Sequence, residues 1–225
     1  MNDAPRVTAR PIAAGGPVAV RIEGPGATLG DLLRAWQPLC DDPGVYKQFA
    51  EPHFAPCRGC AVNCCRHAYV VPDIVSLRQL AAHLQLDLPR LARDYLLEDS
   101  LRAGIPRMRT SPCSFLVDGL CTVYPVRTLI CRFYLCTPLE GFTEQLVYAI
   151  TLAGMAATRR VLRGMGLIPP AAAQAGHGLS GFDLHLRRLL DACEGWAGVQ
   201  SFLEAADYDD IPLAVFLRRE VLELQ

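Results

Sequence analysis

Cys57-Arg58-Gly59-Cys60-Ala61-Val62-Asn63-Cys64-Cys65 is the stretch whose reading decides the fold. Four of its nine residues are cysteine. A second group follows at Cys113, Cys121, Cys131 and Cys136, with seven, nine and four residues between them. The redox compartment decides how such a density is read. Met1-Asn2-Asp3-Ala4-Pro5-Arg6 opens without an apolar run behind it, so no secretory signal is expected. The longest apolar run, residues 146–157, is shorter than the roughly 20 residues a bilayer crossing takes, and is expected to be a buried amphipathic helix. A cytoplasmic location without membrane contact is therefore expected. Reduced, clustered thiols there bind metal or carry redox chemistry more often than they form structural disulfides.

A Cys-x2-Cys pair such as Cys57/Cys60 lets two thiolates converge from one tight knuckle, and Gly59 frees the backbone for that turn. Thiolate donors select zinc, copper(I) or an iron–sulfur cluster over hard cations. Structural zinc sites commonly use two short pairs, and only one is present here. The side chains of adjacent Cys64 and Cys65 point apart, so they are expected to serve different centres or to leave one spare. Irregular spacing suits an iron–sulfur cluster, whose irons hold their sulfur ligands apart. The expected cofactor is an iron–sulfur cluster, [4Fe–4S], or zinc. Its candidate metal ligands are Cys57, Cys60, Cys64, Cys65, Cys113, Cys121, Cys131 and Cys136.

Arg127 and Arg132 interleave with the second group. Their assigned role is to bind at the cofactor, offsetting the charge of a thiolate-rich centre through N–H donors to sulfur; the plainer role is a salt bridge. Tyr124 and Tyr134 are expected to pack around the centre and exclude water. His53 and His67 flank the first group but are outnumbered by thiols. His83 and His177 read as surface residues. Cys40 and Cys193 stand apart, and Cys193 reads as core.

Working outward, residues 1–30 are rich in Pro, Gly and Ala and read as a loosely structured lead-in with short β-like pieces at 6–9 and 18–22. Asp31 is expected to cap a short helix over 32–39. After the first cysteine group, Ile74, Leu77, Leu80, Ala81 and Leu84 fall on one helical face behind Asp73 as N-cap. A second helix over 88–97 has Pro89 in its first turn. Asp118-Gly119 between apolar runs is the signature of a hairpin, and 126–134 forms a helical turn. Helices are expected over 143–164, 182–193 and 211–224, with a Pro/Ala/Gly-rich link at 168–178. Asp87, Asp94, Glu98 and Asp99 read as a solvated face. The fold class is mostly α: a helical domain with a small irregular cysteine-rich metal core and one candidate β-hairpin. Its parts are a lead-in (1–54), the cysteine-cluster domain (55–137) and a C-terminal helical region (138–225).

The chain is 225 residues with 51% hydrophobic content, which excludes a disordered chain. A formal net charge of -1 gives no electrostatic footprint for nucleic acid, and 8% aromatic content offers no stacking platform for single strands. The GGP at 15–17 and GPG at 24–26 fit no nucleotide fingerprint, and neither G-x-S-x-G nor H-E-x-x-H occurs. No catalytic residue is assigned. An enzyme, a metal-stabilised interaction module, and a metal carrier or sensor all remain open.

The motif at 57–65 resembles the opening of the YkgJ-type cysteine cluster proteins, which are zinc- or iron-chelating domains. Cys113-Ser114-Phe115-Leu116, Cys121-Thr122-Val123-Tyr124, Arg127 and Cys131-Arg132-Phe133-Tyr134 resemble that family's C-P-F-L, C-x-I-Y-x-x-R-P and C-R-x-Y/F-P segments. Ser114, Thr128 and Leu135 stand where the family has proline, which alters turn geometry more than ligation. The resemblance covers about residues 55–137. It implies binding of a metal ion or cluster. The family includes flagellin lysine N-methylase, so it also implies iron–sulfur-dependent methyl transfer, with a protein as substrate or partner.

Overall fold

The computed structural model describes residues 5–42, 64–110, 112–170 and 179–217. Strands β1 (Val7–Pro11) and β2 (Val18–Ile22) pair antiparallel, with Val7 opposite Ile22. Helix α1 (Leu29–Asp41) follows, then α2 (Ile74–Leu84), α3 (Leu88–Tyr95) and the short α4 (Glu98–Arg102). A two-residue-per-strand hairpin, β3 (Leu116–Val117) and β4 (Leu120–Cys121), leads into α5 (Leu129–Phe133). The long α6 (Gly141–Gly164), α7 (Gly181–Cys193) and α8 (Ala197–Glu204) complete the helices among the described residues. The mostly α expectation holds, with the hairpin at its expected place. No helix among the described residues is long and apolar enough to cross a membrane.

Local chemistry explains the boundaries. Asp73, Asp87 and Ser180 each accept a backbone N–H of the first turn of α2, α3 and α7, satisfying donors that have no partner within the helix. The cap of α1 is Thr28 rather than Asp31. Thr28 Oγ1 accepts the Asp31 N–H while Asp31 Oδ2 accepts the Thr28 N–H, a reciprocal box that starts the helix three residues earlier than expected. The lead-in is not loose. Val18 and Val20 are buried, the Val18 N–H donates to Pro138 O at 2.9 Å, and the Val20 N–H donates to Thr143 Oγ1 at 2.8 Å. Partners more than a hundred residues away order these strands.

Helix α6 contains the 146–157 run and is buried around its middle, as expected of a core helix. Its small residues admit close neighbours. A Cβ on Gly154 would stand 2.6 Å from Asp73 Cβ, so this glycine lets the start of α2 press against α6. The Thr158 hydroxyl donates to Pro72 O at 2.8 Å beside it. The expected helix over 211–224 is overturned in its described part. Residues 213–216 form a 3-10 turn with Pro212 at its N-cap, and 218–224 lie outside the described residues. Helix α8 was not expected.

Candidate metal centre

The second cysteine group is built on the hairpin. Asp118 and Gly119 adopt φ of 51° and 78°, the two left-handed residues that a tight two-residue hairpin turn requires. Leu116 then faces Cys121 across the ladder. The Leu116 N–H donates to Cys113 O, and the Thr122 N–H donates to Phe115 O, both at 2.9 Å. The chain next turns through Tyr124–Val126 and enters α5, which carries Cys131.

One backbone bond ties the two groups together: the Cys113 N–H donates to Cys65 O at 2.9 Å. Cys65 lies in a 3-10 turn, Cys64–Arg66, that brings it back against the hairpin. The thiols of Cys65, Cys113, Cys121 and Cys131 are close enough to feel one another's charge. Burial pushes the Cys131 thiol up to about 12, and Cys65, Cys113 and Cys121 push the same way, opposed by a hydrogen bond from Thr128. Burial also raises Cys121, with Cys65 and Cys113 adding to it and the Arg127 charge opposing. Burial raises Cys113 as well. Crowded, half-buried thiols hold their protons until a cation makes the thiolates favourable, and this donor set suits a thiophilic metal.

Among the described residues, no three His, Cys, Asp or Glu side chains enclose a place for an ion. Cys57, Cys60 and His53 lie outside the described residues. Cys136 packs against the core, half-buried, two residues beyond the end of α5's C-cap. His67 and His83 are exposed, as are Asp87, Asp94, Glu98 and Asp99. Cys193 is core, as read from its helix. Cys40 is buried, with its thiol directed to Arg132 O at 3.2 Å.

The arginines sit inside the structure around the centre. Arg127 is 7% exposed, lies over the Tyr124 ring at 3.7 Å, and donates to Tyr124 O at 2.7 Å and to Gln37 Oε1 at 3.1 Å. Arg132 donates to Arg127 O at 3.0 Å and to Pro125 O. These donors hold the 124–127 turn rather than a sulfur, and the Arg127 charge still reaches Cys121. Tyr124 is buried, its hydroxyl donating to Asp41 Oδ1 at 2.9 Å. Tyr134 departs from expectation: it is 53% exposed, because α5 ends at Phe133. Phe133 turns inward instead, edge-on to Trp36 at 5.3 Å.

Asp73 does more than cap α2. Its carboxylate is 2% exposed and accepts the Ser76 N–H (2.8 Å), the Ser76 hydroxyl (2.6 Å), the Leu129 N–H (3.1 Å) and the Tyr208 hydroxyl (3.0 Å). It therefore fastens the start of α5, and with it Cys131, to α2 and to the C-terminal region. Only the capping part of that role has a local sequence signal.

Residues 56–148 match the family model described as "CxxCxxCC: Putative zinc- or iron-chelating domain". The match spans both cysteine groups and falls on the segment that carries the YkgJ-type resemblance. It supports zinc or iron binding by this segment. No curated protein and no solved structure matches the chain.

Proposed function

We propose that the chain binds an iron–sulfur cluster, [4Fe–4S], through cysteines of both groups. The ligands come from Cys57, Cys60, Cys64, Cys65, Cys113, Cys121, Cys131 and Cys136, within a metal-binding segment 55–137 framed by 1–54 and 138–225. The observation that carries this reading is the Cys113–Cys65 backbone bond, which joins two cysteine groups 48 residues apart at one place. The irregular spacing supports a cluster over a single zinc ion. A bound cluster supplies electron transfer or a Lewis-acidic iron. The chain's own residues bring half-buried thiols together and set a fixed positive charge at Arg127. Support for protein modification such as methyl transfer comes from the family resemblance alone, so metal binding rather than a reaction is proposed.

Serine substitutions test the ligand set. Cys65→Ser, Cys113→Ser and Cys131→Ser, purified anaerobically, are expected to lose iron, sulfide and visible absorbance. Cys193→Ala, changed within the helical core, is expected to retain them. Full metal content in both Cys113→Ser and Cys131→Ser would overturn the proposal.

A further inference from the structure

Thr128 occupies the N-cap position of α5, where a threonine oxygen ordinarily accepts a first-turn N–H. Here it makes no such bond. The Leu129 N–H is taken instead by Asp73 Oδ2, from 56 residues earlier in the chain. Asp73 is itself held by Ser76 and Tyr208. With the capping supplied from outside, the Thr128 hydroxyl donates to Cys131 Sγ at 3.3 Å. Thr128 is 3% exposed, so water does not compete for that sulfur from its side.

We infer that Thr128 tunes the Cys131 sulfur as a metal ligand, its hydroxyl released for that by Asp73. The inference rests on Cys131 being a ligand. A thiolate accepts a hydrogen bond more strongly than a thiol, so the bond strengthens on metal binding. A donor to a ligating sulfur draws charge from it and lowers the energy of its donating orbital. Thr128 acts through Cys131, as a positioning residue.

The test uses the full chain, stripped of metal and titrated with Co2+ under reducing, anaerobic conditions. The readout is the position of the thiolate-to-cobalt charge-transfer band. Thr128→Val removes the hydroxyl at nearly constant shape and should move the band to longer wavelength. Thr128→Ser restores the donor and should return the band to the parent position. A merely structural role would lower the melting temperature of Thr128→Val without moving the band. Thr128→Ala replaces the valine variant where that one does not fold. An unmoved band in Thr128→Val or Thr128→Ala, with a band altered in Cys131→Ser, overturns the Thr128 role and leaves the metal reading standing. A band unaffected by Cys131→Ser, or no band in the parent, overturns Cys131 as ligand and the inference with it.

Discussion

Replacing Asp73 by alanine is expected to cost far more than the loss of a helix cap. The carboxylate is buried and is the common acceptor for Ser76, Leu129 and Tyr208. Truncation leaves four donors, on three residues from different parts of the chain, without it. Each buried donor stripped of its partner costs about 1–3 kcal/mol. Allowing for partial relaxation, the expected loss is roughly 3–5 kcal/mol, a large share of a domain stability of about 5–15 kcal/mol. Asp87 supplies the internal control. It caps α3 in the same way, accepting the Arg90 N–H at 2.7 Å, but it is exposed and fastens nothing else. Asp87→Ala should cost about 1 kcal/mol. The assay is urea unfolding followed by circular dichroism at matched metal content, with the slope compared to confirm that only stability changed. A loss in Asp73→Ala no greater than that in Asp87→Ala would refute the role of Asp73 as the fastening point.

Chelation should loosen residues 55–137 before the C-terminal helices, because the hairpin has two-residue strands and α5 five residues, whereas α6 packs a continuous buried face; equal proteolytic protection of both regions after metal removal would contradict this. Arg127→Leu should shift the centre's reduction potential negative, and Arg132→Leu less so, since the Arg127 charge reaches Cys121 while Arg132 couples to Tyr208 and Cys40; redox titrations at matched iron content decide it. Arg34 hydrogen-bonds Asp209 and holds that carboxyl below its usual range, and at Asp31 burial acts upward but is outweighed by bonds from Arg34 and Thr28. Carboxylates depressed in the fold stabilise above their ordinary range and lose that contribution as pH falls through the folded value. Arg34→Gln should therefore cost within about 1 kcal/mol near neutral pH, the pair being exposed, and the difference from the parent should fade below about pH 4; a difference that grows on acidification would be inconsistent with it.

The sequence spoke clearly where structure is local. Asp73 stands one residue before a periodic apolar run, and Asp118-Gly119 dictates its own turn. Helix α8 gave no such signal: its N-cap, Trp196, makes no side-chain capping bond, and the helix includes Gly198. That glycine is explained only by tertiary contact, since a Cβ there would stand 2.5 Å from Phe216 Cε1. The order of β1 and β2 depends on Pro138 and Thr143, and the placement of Cys131 on Asp73 and Tyr208. None of these partnerships leaves a pattern in the neighbouring residues. At the candidate site, residue types and spacing pointed to metal binding, which the match to a zinc- or iron-chelating domain supports. They did not reveal that Cys65 would bond through its backbone to Cys113, or that the Arg132 donors would be given to carbonyls.

The most direct test is the iron, zinc and acid-labile sulfide content of the full chain purified anaerobically, read together with its visible spectrum. The account predicts iron and sulfide in roughly equal amounts, with a broad visible absorbance that bleaches on reduction. A colourless protein that carries stoichiometric zinc and no sulfide would contradict the cluster. A protein that retains neither metal under these conditions would contradict the metal centre itself.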